Sequence, residues 1–102
     1  MTNGILASGK DAIRRVEEGD KVTYKTEGQR RRKQPLEVVR VETRSSTSGN
    51  KRKELELHGN RGGEYLLSFS LTDPDPFDDA LHVNLSSANL YDPEEFYLNE
   101  KG

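Results

Sequence analysis

Lys51-Arg52-Lys53-Glu54-Leu55-Glu56-Leu57-His58-Gly59-Asn60-Arg61-Gly62-Gly63-Glu64-Tyr65-Leu66-Leu67-Ser68-Phe69-Ser70-Leu71 is the stretch on which the fold turns. Leu55 and Leu57 alternate with Glu54, Glu56 and His58, and Tyr65, Leu67, Phe69 and Leu71 alternate with Leu66, Ser68 and Ser70. A period of two is the mark of a half-buried strand, because successive side chains point to opposite faces. Between the two runs, His58-Gly59-Asn60-Arg61-Gly62-Gly63 is rich in residues that tolerate positive φ, so the pair reads as an antiparallel hairpin. Pairing 57 with 65 sets Leu55 opposite Leu67 on the buried face and His58 opposite Glu64 on the outer face.

Three further segments carry the same period. Val22 and Tyr24 alternate with charged neighbours, Val39, Val41 and Thr43 with Arg40 and Glu42, and Leu81, Val83 and Leu85 with His82 and Asn84. For the second and third strands, pairing 40 with 54 also pairs Glu42 with Arg52. That register is expected because it creates two opposite-charge contacts and gives Arg40 and Arg52 a structural role. Ser8 followed by Asp11 resembles a capping box and Gly19 a stop, predicting a helix over 9–18 with Ala12, Ile13 and Val16 as its apolar face. Asp75-Pro76 predicts a helical turn before the last strand. Asp92-Pro93-Glu94-Glu95, with Tyr91 and Phe96 placed as a hydrophobic staple, predicts a C-terminal helix over 93–99. The expected organisation is an N-terminal arm at 1–20, a β domain at 21–91 and a helical tail at 92–102.

Composition narrows the function. The chain has 102 residues, 30% hydrophobic and 33% charged, with no cysteine and no tryptophan. One small domain fits that length, and a large enzyme-style pocket does not. Without cysteine, a disulfide framework, a cysteine zinc site and a cysteine nucleophile are all excluded. No apolar run is longer than three residues, as at Ile5–Ala7 and Tyr65–Leu67, far short of a spanning helix. A cytoplasmic protein without membrane partner, cofactor or metal is expected.

Charge is distributed unevenly. Residues 1–62 hold 15 Lys/Arg against 9 Asp/Glu, whereas residues 63–102 hold 1 against 9. Such asymmetry calls either for an anionic partner or for neutralisation of one half by the other.

Five strands, a long first loop at 27–35, a tight hairpin and a helical turn before the fifth strand resemble, in element order, an SH3-like small barrel. The fold class expected is therefore mainly β, a five-stranded antiparallel barrel with short N- and C-terminal helices. Aromatic residues that would line a proline-recognition groove are missing from the loop at 27–35, so that activity is not implied. Gly59-Asn60-Arg61-Gly62-Gly63-Glu64-Tyr65-Leu66-Leu67 also resembles a stretch in small uncharacterised β-rich proteins of haloarchaea, which implies no activity.

Among candidate sites, Arg30-Arg31-Arg32-Lys33 lies in a loop flanked by Gly28 and Pro35, and Lys25, Lys51, Lys53 and Arg61 extend it into a basic surface. Clustered cations of this kind neutralise nucleic-acid phosphates. With Tyr24 and Tyr65 assigned to the core, such binding would be mainly to the backbone. The alternative is a protein-interaction module using a strand edge or the acidic C-terminal half, where Leu66, Tyr91, Phe96, Tyr97 and Leu98 supply apolar surface. Asp73, Asp75, Asp78 and Asp79 form an acidic cluster, but an EF-hand count from Asp73 fails at three positions, so no metal site is assigned. His58, Arg61 and Glu64 are the residue types of phosphodiester acid–base chemistry. Their spacing equally follows from an exposed cross-strand pair, and a non-enzymatic reading is preferred. Asn84-Leu85-Ser86 is a chance glycosylation sequon within a strand.

Overall fold

The computed structural model describes residues 4–30, 34–59 and 62–99. Chain order is β1 (Ile5–Ser8), α1 (Gly9–Arg15), β2 (Lys21–Thr26), β3 (Leu36–Ser45), β4 (Lys51–His58), β5 (Glu64–Ser70), β6 (Leu81–Asn84), β7 (Leu90–Tyr91) and β8 (Pro93–Asn99). All eight strands form a single sheet of order β1-β8-β2-β3-β4-β5-β6-β7, antiparallel throughout. The fold is mainly β, as expected, but the sheet has eight strands instead of five and its hydrogen-bonded ladder does not close.

The β4–β5 hairpin has the expected register, with Leu57 opposite Tyr65, Leu55 opposite Leu67 and His58 opposite Glu64. Between β3 and β4 the register differs from the expectation. Arg40 lies opposite Glu56, Glu42 opposite Glu54 and Arg44 opposite Arg52. A bulge between Val38 and Arg40 is the cause, since the extra residue lets both Val38 and Val41 turn toward the core. The like charges that now face one another are relieved diagonally. Arg44 Nε donates to Glu54 at 2.6 Å, and Arg40 bonds both Glu42 and Glu56. These hydrogen bonds hold both guanidiniums above their ordinary pKa, Glu56 acting first on Arg40 and Glu54 on Arg44.

The predicted C-terminal helix is instead β8, inserted between β1 and β2. A seven-residue helix would carry the full nucleation cost with few hydrogen bonds to offset it. As an inner strand the same segment is paired on both sides and buries Phe96 and Leu98, with Pro93 confined to the first position. The cluster Tyr91, Phe96, Tyr97 and Leu98 is consequently not an outward apolar surface. At the N-terminus, residues 4–8 add the edge strand β1, and α1 ends at Arg15 instead of continuing to 18. Ser8 stands at the N-cap without a side-chain cap bond, and Asp11 pairs with Arg15 at 3.4 Å. Before β6, Asp75 Oδ1 accepts from the Phe77 amide and closes a turn that does not develop into a helix.

One residue, Asp92, joins β7 at one edge of the sheet to β8, next to the opposite edge. The sheet therefore curls until its two edges approach, and the Glu27 amide bonds Asp92 O at 2.8 Å where they meet. Inside the curl, Phe69 of β5 packs on Phe96 of β8, ring centroids 5.1 Å apart. Helix α1 covers one end through Ala12 and Ile13, followed by Val16, all fully buried. A Cα radius of gyration of 12.9 Å matches the ~13 Å of a single domain of this length.

Lys53 belongs to this interior. It shares the inward parity of Leu55 and Leu57 and is only 8% exposed. Its ammonium donates to Ile13 O at 2.8 Å, Arg14 O at 3.3 Å and Val16 O at 2.8 Å, satisfying carbonyls that the end of α1 leaves open. Burial lowers its pKa below the ordinary lysine value of 10.5, against the opposing fields of Glu17 and Asp20. The unfolded chain then binds more protons over the alkaline window up to 10.5, so this group makes stability rise with pH there. Lys53→Met should cost about 2–4 kcal/mol by leaving three carbonyls without a donor, and the variant should lose that alkaline gain. Urea unfolding of both proteins across the window checks both; equal stability at neutral pH would contradict the role given to Lys53.

Candidate nucleic-acid interface

At the end of the curl opposite α1, the tops of β2, β5 and β6 meet β7 around a cleft of about 230 Å³. Its walls are aromatic. His82 lies 5.4 Å from the Tyr65 ring in a stacked arrangement, and 5.1 Å and 5.7 Å from the tilted rings of Tyr24 and Tyr91. Tyr24 Oη and His82 Nε2 share a 2.8 Å hydrogen bond, both residues being buried. This bond joins β2 to β6 across the interior. Tyr65 and Tyr91 are half-buried and face the opening.

Local sequence explains how the rings are held. Tyr24 follows Val22 by two and so points inward, and the β5–β6 ladder sets His82 opposite Leu67 and Asn84 opposite Tyr65. At the hairpin, Gly63 leaves room for the Tyr65 ring; a Cβ there would stand 2.8 Å from Tyr65 Oη. Thr26, Gln29 and Arg30 complete the rim from the end of β2, and no carboxylate of the described residues lines the cleft.

The basic residues singled out from the sequence are placed in different surroundings. Arg30 is exposed at the cleft mouth, whereas Arg31, Arg32, Lys33 and Arg61 lie outside the described residues. Lys51 is exposed at the opposite end of β4, six residues from the level of Leu57 and Tyr65, or about 20 Å along the strand. Lys53 is withdrawn into the interior and presents no ammonium to a ligand. A single surface joining Arg30, Lys51 and Lys53 is therefore not formed.

Other cations are engaged within the fold. Arg52 bonds Ser68 Oγ at 2.9 Å and Asp79 O at 2.7 Å. Lys25 pairs with Glu94 at 2.6 Å, a hydrogen bond that raises the lysine's pKa and neutralises one charge of the basic half with one of the acidic half. Arg30 makes no ion pair among the described residues.

His58 Nε2 lies 3.2 Å from Glu56 and 3.5 Å from Glu64 on the outer face of the sheet. The pair is an ordinary cross-strand neighbour contact. Asp73, Asp78 and Asp79 each bring a carboxylate oxygen within 4.8 Å of the others on the surface. Sequence reasoning missed His82 and Tyr91 as members of the cleft, because they come from β6 and β7 and join Tyr24 only through the curl.

The chain matches no protein-family model, no curated protein and no solved structure. No helix among the described residues is long and apolar enough to cross a membrane.

Because the Tyr24–His82 bond is buried, Tyr24→Phe should destabilise the fold by about 1–2 kcal/mol and shift the His82 ring resonances. Thermal unfolding and proton NMR measure the two effects. Unchanged stability together with unchanged His82 signals would contradict the bond.

Proposed function

We propose that the protein is a small non-enzymatic binding module for nucleic acid, engaging the phosphate backbone with its loop at 27–35. The curled sheet is the frame for that loop, and the relation to SH3-like small barrels rests on the order of elements read from the sequence. One observation carries the reading: Arg30, which begins the run Arg30-Arg31-Arg32-Lys33, stands exposed and without an ion pair among the described residues, while Arg40 and Arg44 are tied to glutamates. A cation held by a carboxylate at home gains little by meeting a phosphate; an uncompensated one releases a counterion from the strand.

The cleft beside Arg30 adds surface that, among the described residues, carries no carboxylate, which suits an anionic strand. A second reading, in which a protein partner pairs with a sheet edge, is favoured by β7, where Leu90 is 64% exposed. The two readings separate by salt dependence.

Neutralising about four phosphates would give a slope of log affinity against log salt near −2.8 on a single strand and −3.6 on duplex DNA. Replacing Arg30, Arg31, Arg32 and Lys33 together with alanine should flatten the slope and weaken all sequences alike. Arg40→Ala, which breaks an outer-face pair, should leave the slope intact and lower stability only slightly. Absence of salt-sensitive binding to DNA and RNA at low ionic strength would overturn the proposal in favour of a protein partner.

A further inference from the structure

Resting on the nucleic-acid reading above, we propose that the cleft among Tyr24, Tyr65, His82 and Tyr91 receives one unstacked nucleobase of a single strand, while Arg30 holds a neighbouring phosphate. The size of the cleft sets the class of occupant. About 230 Å³ is smaller than the ~300–1,000 Å³ of sites that enclose drug-sized ligands, and it suits a single planar ring system.

The walls then supply what such a ring needs. Tyr65 and Tyr91 present partly exposed aromatic surface, and both pack on the buried His82, which Tyr24 holds by its 2.8 Å hydrogen bond. A platform locked in this way loses little conformational freedom when a base stacks on it. Every base has a π-face, so stacking contributes without demanding a particular sequence.

Polar groups at the rim match a base edge. Gln29 makes no side-chain hydrogen bond among the described residues, and Asn84, which also lines the cleft, accepts from the Ser86 amide with its Oδ1 while its Nδ2 makes no hydrogen bond among them. Side-chain amides offer the donor and acceptor pairs that base edges complement. A duplex would have to extrude a base to fill the cleft, whereas a single strand offers unstacked bases at lower cost.

The test uses the full chain with two probes of equal length and charge: an oligothymidylate and the same sugar-phosphate strand with abasic sites. Since the chain has no tryptophan, its ultraviolet emission reports tyrosine directly. The base-bearing strand should bind about tenfold more tightly at equal salt and quench that emission, the abasic strand should not quench it, and the two salt slopes should agree. Tyr91→Leu should remove the preference without changing the slope, and Tyr91→Phe should keep it.

Equal affinities for the two strands, with the salt slope intact, would overturn the base site and leave backbone binding standing. Failure of both strands to bind would overturn the base site and the nucleic-acid reading together. The strand comparison is made on the unaltered protein, so it decides the matter even if a substitution impairs folding.

Discussion

The single-residue link at Asp92 is the constraint on which the structure depends. It joins strands that lie at opposite sides of the sheet order, so the sheet has to curl for the chain to continue. Curling gives a chain with few apolar residues an enclosed interior, because the inward faces of β2, β5, β6 and β8 pack on one another without a second layer. Phe69 against Phe96 and Tyr24 against His82 are the contacts that span that interior. Neither pair is close in sequence, so both follow from the curl.

The two ends of the curl are finished differently, and the division of labour follows from this. Helix α1 seals one end, where the buried Lys53 satisfies its terminal carbonyls and replaces water as their partner. A buried cation is tolerable here because all three of its donor positions are used and the helix end supplies negative potential. The other end remains an aromatic cleft, with exposed Arg30 at its mouth. One end is thus sealed by the helix, and the open aromatic cleft lies where the sheet edges meet.

How much of this could be read in the sequence varies element by element. The β4–β5 hairpin was legible down to its register, since alternating leucines and a glycine-rich turn agree on one solution. Helix α1 was legible as a short segment with Ala12, Ile13 and Val16 inward, because its apolar spacing is local. β8 was not: Asp92-Pro93-Glu94-Glu95 carries strong helix-start chemistry, and only partners more than sixty residues away in β2 and β1 make the strand preferable. The β3–β4 register was misread because charge pairing was weighed without the bulge at Val39, which serves core packing. Lys53 had a visible signal in its parity with Leu55 and Leu57, but its residue type argued for the surface. Tyr24 was recognisable as inward-facing, whereas its meeting with His82 and Tyr91 depends on the curl and has no local signature.

The cross-sheet proximities test the account most directly. Nuclear Overhauser spectra of the protein in solution should connect the ring protons of Tyr24 with those of His82, and those of Phe69 with those of Phe96, ring pairs whose centroids lie 5.1 Å apart. Detection of both connections is the result the account predicts. Intact strand signals for β2, β5, β6 and β8 with neither connection present would mean that the sheet does not curl upon itself, and the cleft with its proposed ligand would go with it.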